Sequence, residues 1–139
     1  MSAEARLAGI KRGEIEVPLY RLLGLRVVDF SAGGVKLILT PSASHANPYG
    51  KVAGGVIASS LDTAAAWVAD LQCLEGAVCT TIDIKVNFLR PLSVTDGEAE
   101  IVATAIHSGS RIMVAEAKMI RNDGKLVAVA IATLAVLQA

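Results

Sequence analysis

The segment 54–73 constrains the fold more than any other part of this chain. Val56, Ile57, Leu61, Ala64, Ala65, Val68 and Leu71 recur at helical spacing, and Ala58, Ala66 and Ala69 fill much of the rest. A helix that is apolar on nearly every side is stable only in the middle of other elements. Its polar residues Ser59, Asp62, Thr63 and Asp70 fall roughly along one stripe.

The material available to surround that helix is strand-like. Residues 25–31 and 34–40 read as a hairpin about Ala32-Gly33-Gly34, with Val27, Val28, Val35, Leu37 and Leu39 as its apolar content. Four more runs follow at 78–89, 96–107, 111–121 and 125–136. Asn122-Asp123-Gly124 is a tight-turn signal between the last two. Almost every residue of 125–136 is apolar, which predicts a strand covered on both faces. A meander of six antiparallel strands curling round one long central helix, an α+β architecture, satisfies the pattern. Residues 3–12 and 14–23 predict two short helices, the second with Pro18 in its first turn. The stretch 41–53 reads as a loop. With no linker or repeat, 1–139 reads as one domain with 1–23 as its helical N-terminal segment.

Composition narrows the class of partner. The chain is 53% hydrophobic, 4% aromatic and 19% charged, so small aliphatic residues supply its apolar mass and an apolar surface is left for subunit contacts. Thirteen basic residues balance thirteen acidic ones, which gives no basic field for nucleic acid. No apolar run reaches the ~18 residues of a membrane span, and the N-terminus carries an early acid in place of an apolar signal core, so a cytoplasmic location is expected. Cys73 and Cys79 have neither redox-motif nor zinc-site spacing and read as reduced, mostly buried thiols.

The chemistry concentrates in 47–62. A turn on Pro48 and Gly50 leads to Gly54-Gly55, where a helix begins and its first N–H groups point outward unpaired. Donors of that kind suit a carbonyl oxygen that becomes negative during a reaction. One carboxylate, Asp62, stands eight residues on, about 12 Å along a helix. Gly54 and Asp62 of one chain therefore cannot reach the same carbonyl. If both act, they come from different subunits across a two-fold axis.

Several phrases together carry a family resemblance: Asn47-Pro48-Tyr49-Gly50, Gly54-Gly55-Val56-Ile57-Ala58, Leu61-Asp62, Asn87-Phe88-Leu89-Arg90-Pro91 and Asn122-Asp123-Gly124-Lys125-Leu126-Val127-Ala128. From about residue 20 onward the chain resembles the hotdog-fold acyl-CoA thioesterases, specifically the phenylacetate-degradation type of the 4-hydroxybenzoyl-CoA thioesterase superfamily. The resemblance implies hydrolysis of an aryl, short-chain or medium-chain acyl-CoA. Asp62 is then the nucleophile or general base, and the Gly54 N–H the oxyanion donor from the partner subunit. Asn47 holds the loop, and the Thr81 hydroxyl orients water. Gly55, Asn87, Phe88, Arg90, Pro91 and Arg111 become substrate-binding positions, the two arginines toward the CoA phosphates. No metal and no cofactor are implied, and the expected assembly is a dimer with shared sites, pairing further into a homotetramer.

One departure stands out. The family phrase is His-Gly-Gly, and this chain reads Ala53-Gly54-Gly55. The alternative reading is therefore a weakly active or non-catalytic CoA-thioester-binding protein. His45 sits on a mobile-looking loop with nothing to show that it substitutes. A hydratase is disfavoured, because neither His45 nor His107 follows an Asp at the required five-residue step. His107, Trp67, Tyr49 and Glu116 read as structural, with Trp67 and Tyr49 in packing and Glu116 as a buried salt-bridge partner.

Overall fold

The computed structural model describes residues 1–138; the last residue of the predicted domain, Ala139, lies outside them. Two helices, α1 (Ala3–Lys11) and α2 (Pro18–Leu23), precede the hairpin of β1 (Leu25–Ser31) and β2 (Gly34–Leu39). The long helix α3 (Gly54–Gln72) follows, then β3 (Ala77–Phe88), β4 (Ala99–Ser108), β5 (Ile112–Ile120) and β6 (Leu126–Gln138). All strand pairs are antiparallel, in the order β1-β2-β4-β5-β6-β3.

Sequence sets the ends of these elements. Pro18 occupies the first turn of α2, and the residue before it, Val17, is extended as a pre-proline residue must be, so the predicted helix 14–23 begins late. Gly24 ends α2 at φ 68°, and a Cβ there would meet the Thr40 carbonyl oxygen at 2.5 Å. The Asn122-Asp123-Gly124 turn closes with Gly124 at φ 83° and its N–H donated to the Arg121 carbonyl.

The sheet curls round α3, and small side chains line both sides of the contact. Ala64, Ala65 and Ala69 of the helix are buried, as are Ala99, Ala103, Ala115, Ala117, Ala130 and Ala132 of the strands. Leu61, Val68, Leu37, Ile101 and Leu134 fill the spaces between. Truncating such a leucine to Ala costs about 2–5 kcal/mol.

β6 departs from expectation. Its helix-facing residues are buried, yet Ile131 is 50% exposed and Leu137 47%. Among the described residues the strand is covered on one face only, because α3 packs on one side of the sheet and Ile131 and Leu137 stay exposed on the other. Its apolar residues are there on both faces nonetheless.

Candidate active site

Residues 42–53 deliver the chain to the start of α3, and they are braced throughout. The Asn47 Oδ1 accepts from the N–H groups of Tyr49 (2.9 Å) and Lys51 (3.1 Å). Val52 N–H donates to the Leu92 carbonyl at 2.8 Å. His45 is buried; its Nδ1 accepts from Ser42 N–H (3.1 Å), which leaves the proton on Nε2 for the Leu22 carbonyl (2.7 Å). Its own carbonyl takes the Ala53 N–H at 2.9 Å. The loop is thus fixed, contrary to the mobile reading. With both ring nitrogens engaged, His45 cannot replace the imidazole missing at Ala53.

Ala53 is the N-cap of α3 and supplies no side-chain partner. Its carbonyl accepts from Val56 and Ile57, while the N–H groups of Gly54 and Gly55 find no backbone or side-chain acceptor among the described residues. Both glycines are solvent-exposed. The Phe88 ring lies so close that a Cβ on Gly54 would stand 3.3 Å from it, whereas a Cβ on Gly55 would meet nothing within 4 Å. The donors sit beside an aromatic wall, with open space next to Gly55.

Two turns further along α3, Asp62 faces the same strand. The Thr81 hydroxyl donates to Asp62 Oδ1 at 2.7 Å. Oδ2 takes no hydrogen bond from the protein among the described residues, and the carboxylate is half-buried. Asp62 touches β3 at Thr81 while Gly54 touches it at Phe88. In one protomer, the acid and the donors of α3 lie against separate stretches of that strand.

Residues 49–128 match the thioesterase superfamily, more than half of the chain. The chain belongs to that family. It is 28% identical over 115 residues to a Haemophilus influenzae protein provisionally named an esterase, covering 83% of this chain and 82% of the relative. A crystal structure of a thioesterase from Haemophilus influenzae superposes with a TM-score of 0.84 at 25% identity, over 95% of this chain and 90% of that one. A phenylacetic acid degradation-related protein from Ralstonia eutropha JMP134 gives 0.83 at 28% identity, over 93% and 98%. The antiparallel sheet round α3 is the hotdog fold that the resemblance implied. The protein is a thioester hydrolase.

Not every residue expected at the site of this thioesterase converges on it. Strand alternation puts Asn87 on the face opposite to Phe88, away from Gly54. Arg90 is exposed, and its Nη1 donates to the Leu126 carbonyl at 3.0 Å. The Pro91 carbonyl accepts from Arg121 at 2.9 Å. Arg111 lies at the other end of the sheet: Arg90 bonds to Val127 of β6 and Arg111 to Val136, nine residues and about 30 Å apart along the strand. The two arginines of one protomer therefore cannot grip one nucleotide.

Tyr49 is 83% exposed, a correction to its packing assignment. Trp67 does pack, and its Nε1 donates to the Tyr20 hydroxyl at 2.6 Å. Glu116 is half-buried on the outer face and pairs with Lys118 at 3.2 Å. Sequence reasoning missed the bracing role of His45. A single buried-type residue within a polar loop was its only signal.

Proposed function

We propose that the protein hydrolyses an acyl-CoA thioester at a site made by two protomers, Asp62 and Thr81 from one and the Gly54 and Gly55 amides from the other. The observation that carries this is the placement of the two half-sites along β3. That strand ends the sheet, and its free edge is a row of unpaired backbone groups suited to a second copy. If two β3 strands pair antiparallel about a two-fold axis at Lys85, so that Ile84 meets Val86 and Asp83 meets Asn87, the bulge at Ile82 takes up one residue and the partner's Thr81 falls opposite Phe88. Asp62 of one copy then faces the open amides of the other. The same operation brings Arg90 and the partner's Arg111 to one end of the sheet, where a nucleotide phosphate would find both.

The chemistry follows from the groups present. A water held between Thr81 Oγ1 and the free Asp62 Oδ2 attacks the thioester carbon and gives its proton to Asp62. The carbonyl oxygen becomes an oxyanion as it approaches the helix amides, whose dipoles favour negative charge. Collapse breaks the C–S bond, and Asp62 passes the proton it took from water to the departing thiolate, which leaves as the free thiol while Asp62 returns to its carboxylate form. A thioester is electrophilic and its thiolate a good leaving group, so general-base assistance of about 10²–10⁴ and an oxyanion donor of about 10²–10³ make a usable enzyme. Phe88 gives the acyl group an apolar wall.

Mixed dimers test the shared site. Gly54→Pro deletes one amide at a helix position that favours proline, after Ala53, whose ψ of 143° is already that of a pre-proline residue. Each of Gly54→Pro and Asp62→Ala alone should be inactive in thiol release from a panel of acyl-CoAs. Unfolding the two together and refolding them should restore about a quarter of wild-type activity, because half the dimers then hold one intact composite site. No recovery would mean that each site lies within one chain.

A further inference from the structure

The seam between α3 and β3 holds a second cluster of reactive groups beyond the Asp62–Thr81 pair. At the C-terminal end of α3, the sulfur of Cys73 lies 3.1 Å from that of Cys79 near the start of β3. Both are free thiols. The Asp70 carboxylate fixes their relation, since its Oδ1 accepts the Cys79 N–H at 2.7 Å. The Cys73 thiol also points to the Ala69 carbonyl at 3.5 Å, which orients it along the helix axis.

We propose that Cys73 and Cys79 form a modification site, a dithiol that a low-molecular-weight disulfide such as oxidised glutathione converts to an intramolecular disulfide. The proposal is independent of thioester hydrolysis. A disulfide bond requires the sulfurs to close to about 2.05 Å, a movement of about 1 Å from where they stand, which side-chain torsion supplies. Spacing in sequence concealed this, because the turn at Leu74–Gly76 folds the chain back: Ala77 N–H donates to the Leu74 carbonyl, and Gly76 takes φ 91°.

Access and chemistry assign the two sulfurs different roles. A cavity of about 790 Å³ between α1 and this turn has Cys73 in its wall, with Arg6, Trp67, Asp70 and Leu74. Cys79 does not line it. Burial, then the neighbouring Cys73 and Asp70, push the Cys79 thiol well above its ordinary range. Cys73 is therefore the sulfur that meets the reagent. Its thiolate attacks one sulfur of the small disulfide and releases one small thiol, leaving a mixed disulfide on Cys73. Cys79 then attacks Cys73 Sγ, loses its proton and releases the second small thiol. Two protein thiols are oxidised and one disulfide is reduced to two thiols, so the step needs no other oxidant.

The experiment equilibrates the whole protein with mixtures of reduced and oxidised glutathione, natively and in concentrated urea, and reads acid-quenched products by mass. The expected native product has lost two hydrogens and carries no glutathione. Its effective thiol concentration should exceed that in urea by about 50-fold, the loop-closure entropy that the fold has already lost for a loop this short. Cys79→Ser should stop at one glutathione on Cys73. Native protein carrying two glutathiones, native protein inert where the urea sample reacts, or equal effective concentrations would each overturn the proposal. So would a Cys79→Ser chain that takes up no glutathione.

Discussion

Ala53 leaves the first turn of α3 without a side-chain cap, and in the proposed site that omission keeps the helix amides open. A Ser, Asp or Asn at an N-cap accepts from the second or third helical N–H, here Gly55 or Val56. Such a cap would stabilise the helix and occupy the amides proposed to receive the substrate carbonyl. The chain keeps them open and loses the stability. Ala53→Asp should therefore raise the urea unfolding free energy by about 1 kcal/mol and lower kcat for thiol release by at least about tenfold. The second effect comes from a carboxylate that competes for the amides and repels the oxyanion. A capped variant of unchanged kcat would remove the helix amides from the reaction.

At the scale of elements, α3 and β3 are joined by paired contacts, and Asp70 is the one that carries a cost. Burial raises its carboxyl above the ordinary range, with the Cys79 hydrogen bonds and Arg6 only partly opposing. An acid whose pKa rises on folding costs nothing below the unfolded value near 4. It destabilises the fold as pH climbs between the unfolded and folded values, and the penalty persists above them. Asp70→Asn keeps an oxygen for the Cys79 N–H and removes the charge. Its Tm should exceed that of the parent by a few degrees at pH 7 and match it near pH 3. A lower Tm at pH 7 would show that the charge itself holds the strand. Elements of this kind were legible in sequence wherever a period ran through them: the largely apolar helix 54–73 and the four runs from 78 onward needed no partner to be recognised. Contacts between elements were not. Asp62 meets Thr81 nineteen residues away, and only the family resemblance joined them. His45 is defined by a backbone carbonyl twenty-three residues earlier, and the Cys73–Cys79 contact by a turn whose geometry no spacing rule encodes.

The whole protomer leaves two surfaces unfinished. One is the outer face of the sheet, where Ile106, Ile112, Ile131 and Leu137 are all more than a third exposed. The other is β3, twelve residues of strand at the edge of the sheet, with Val78, Ile82 and Phe88 exposed along it. Long edges pair with other chains unless charge, proline or a bulge discourages them, and the exposed charges of β3, Asp83 and Lys85, are of opposite sign. β3 has a register shift between Thr81 and Asp83, which puts Ile82 out of the ladder with β6 without breaking the strand. The proposed two-fold axis lies close by, so Ile82→Lys introduces two like charges into a small area near the centre of the dimer. Sedimentation should show the variant as a monomer at concentrations where the parent is a dimer. Thiol release should fall in parallel, because each monomer retains an acid with no amides opposite it. A monomer that turned over at the parental rate would separate assembly from catalysis and place a complete site inside one chain.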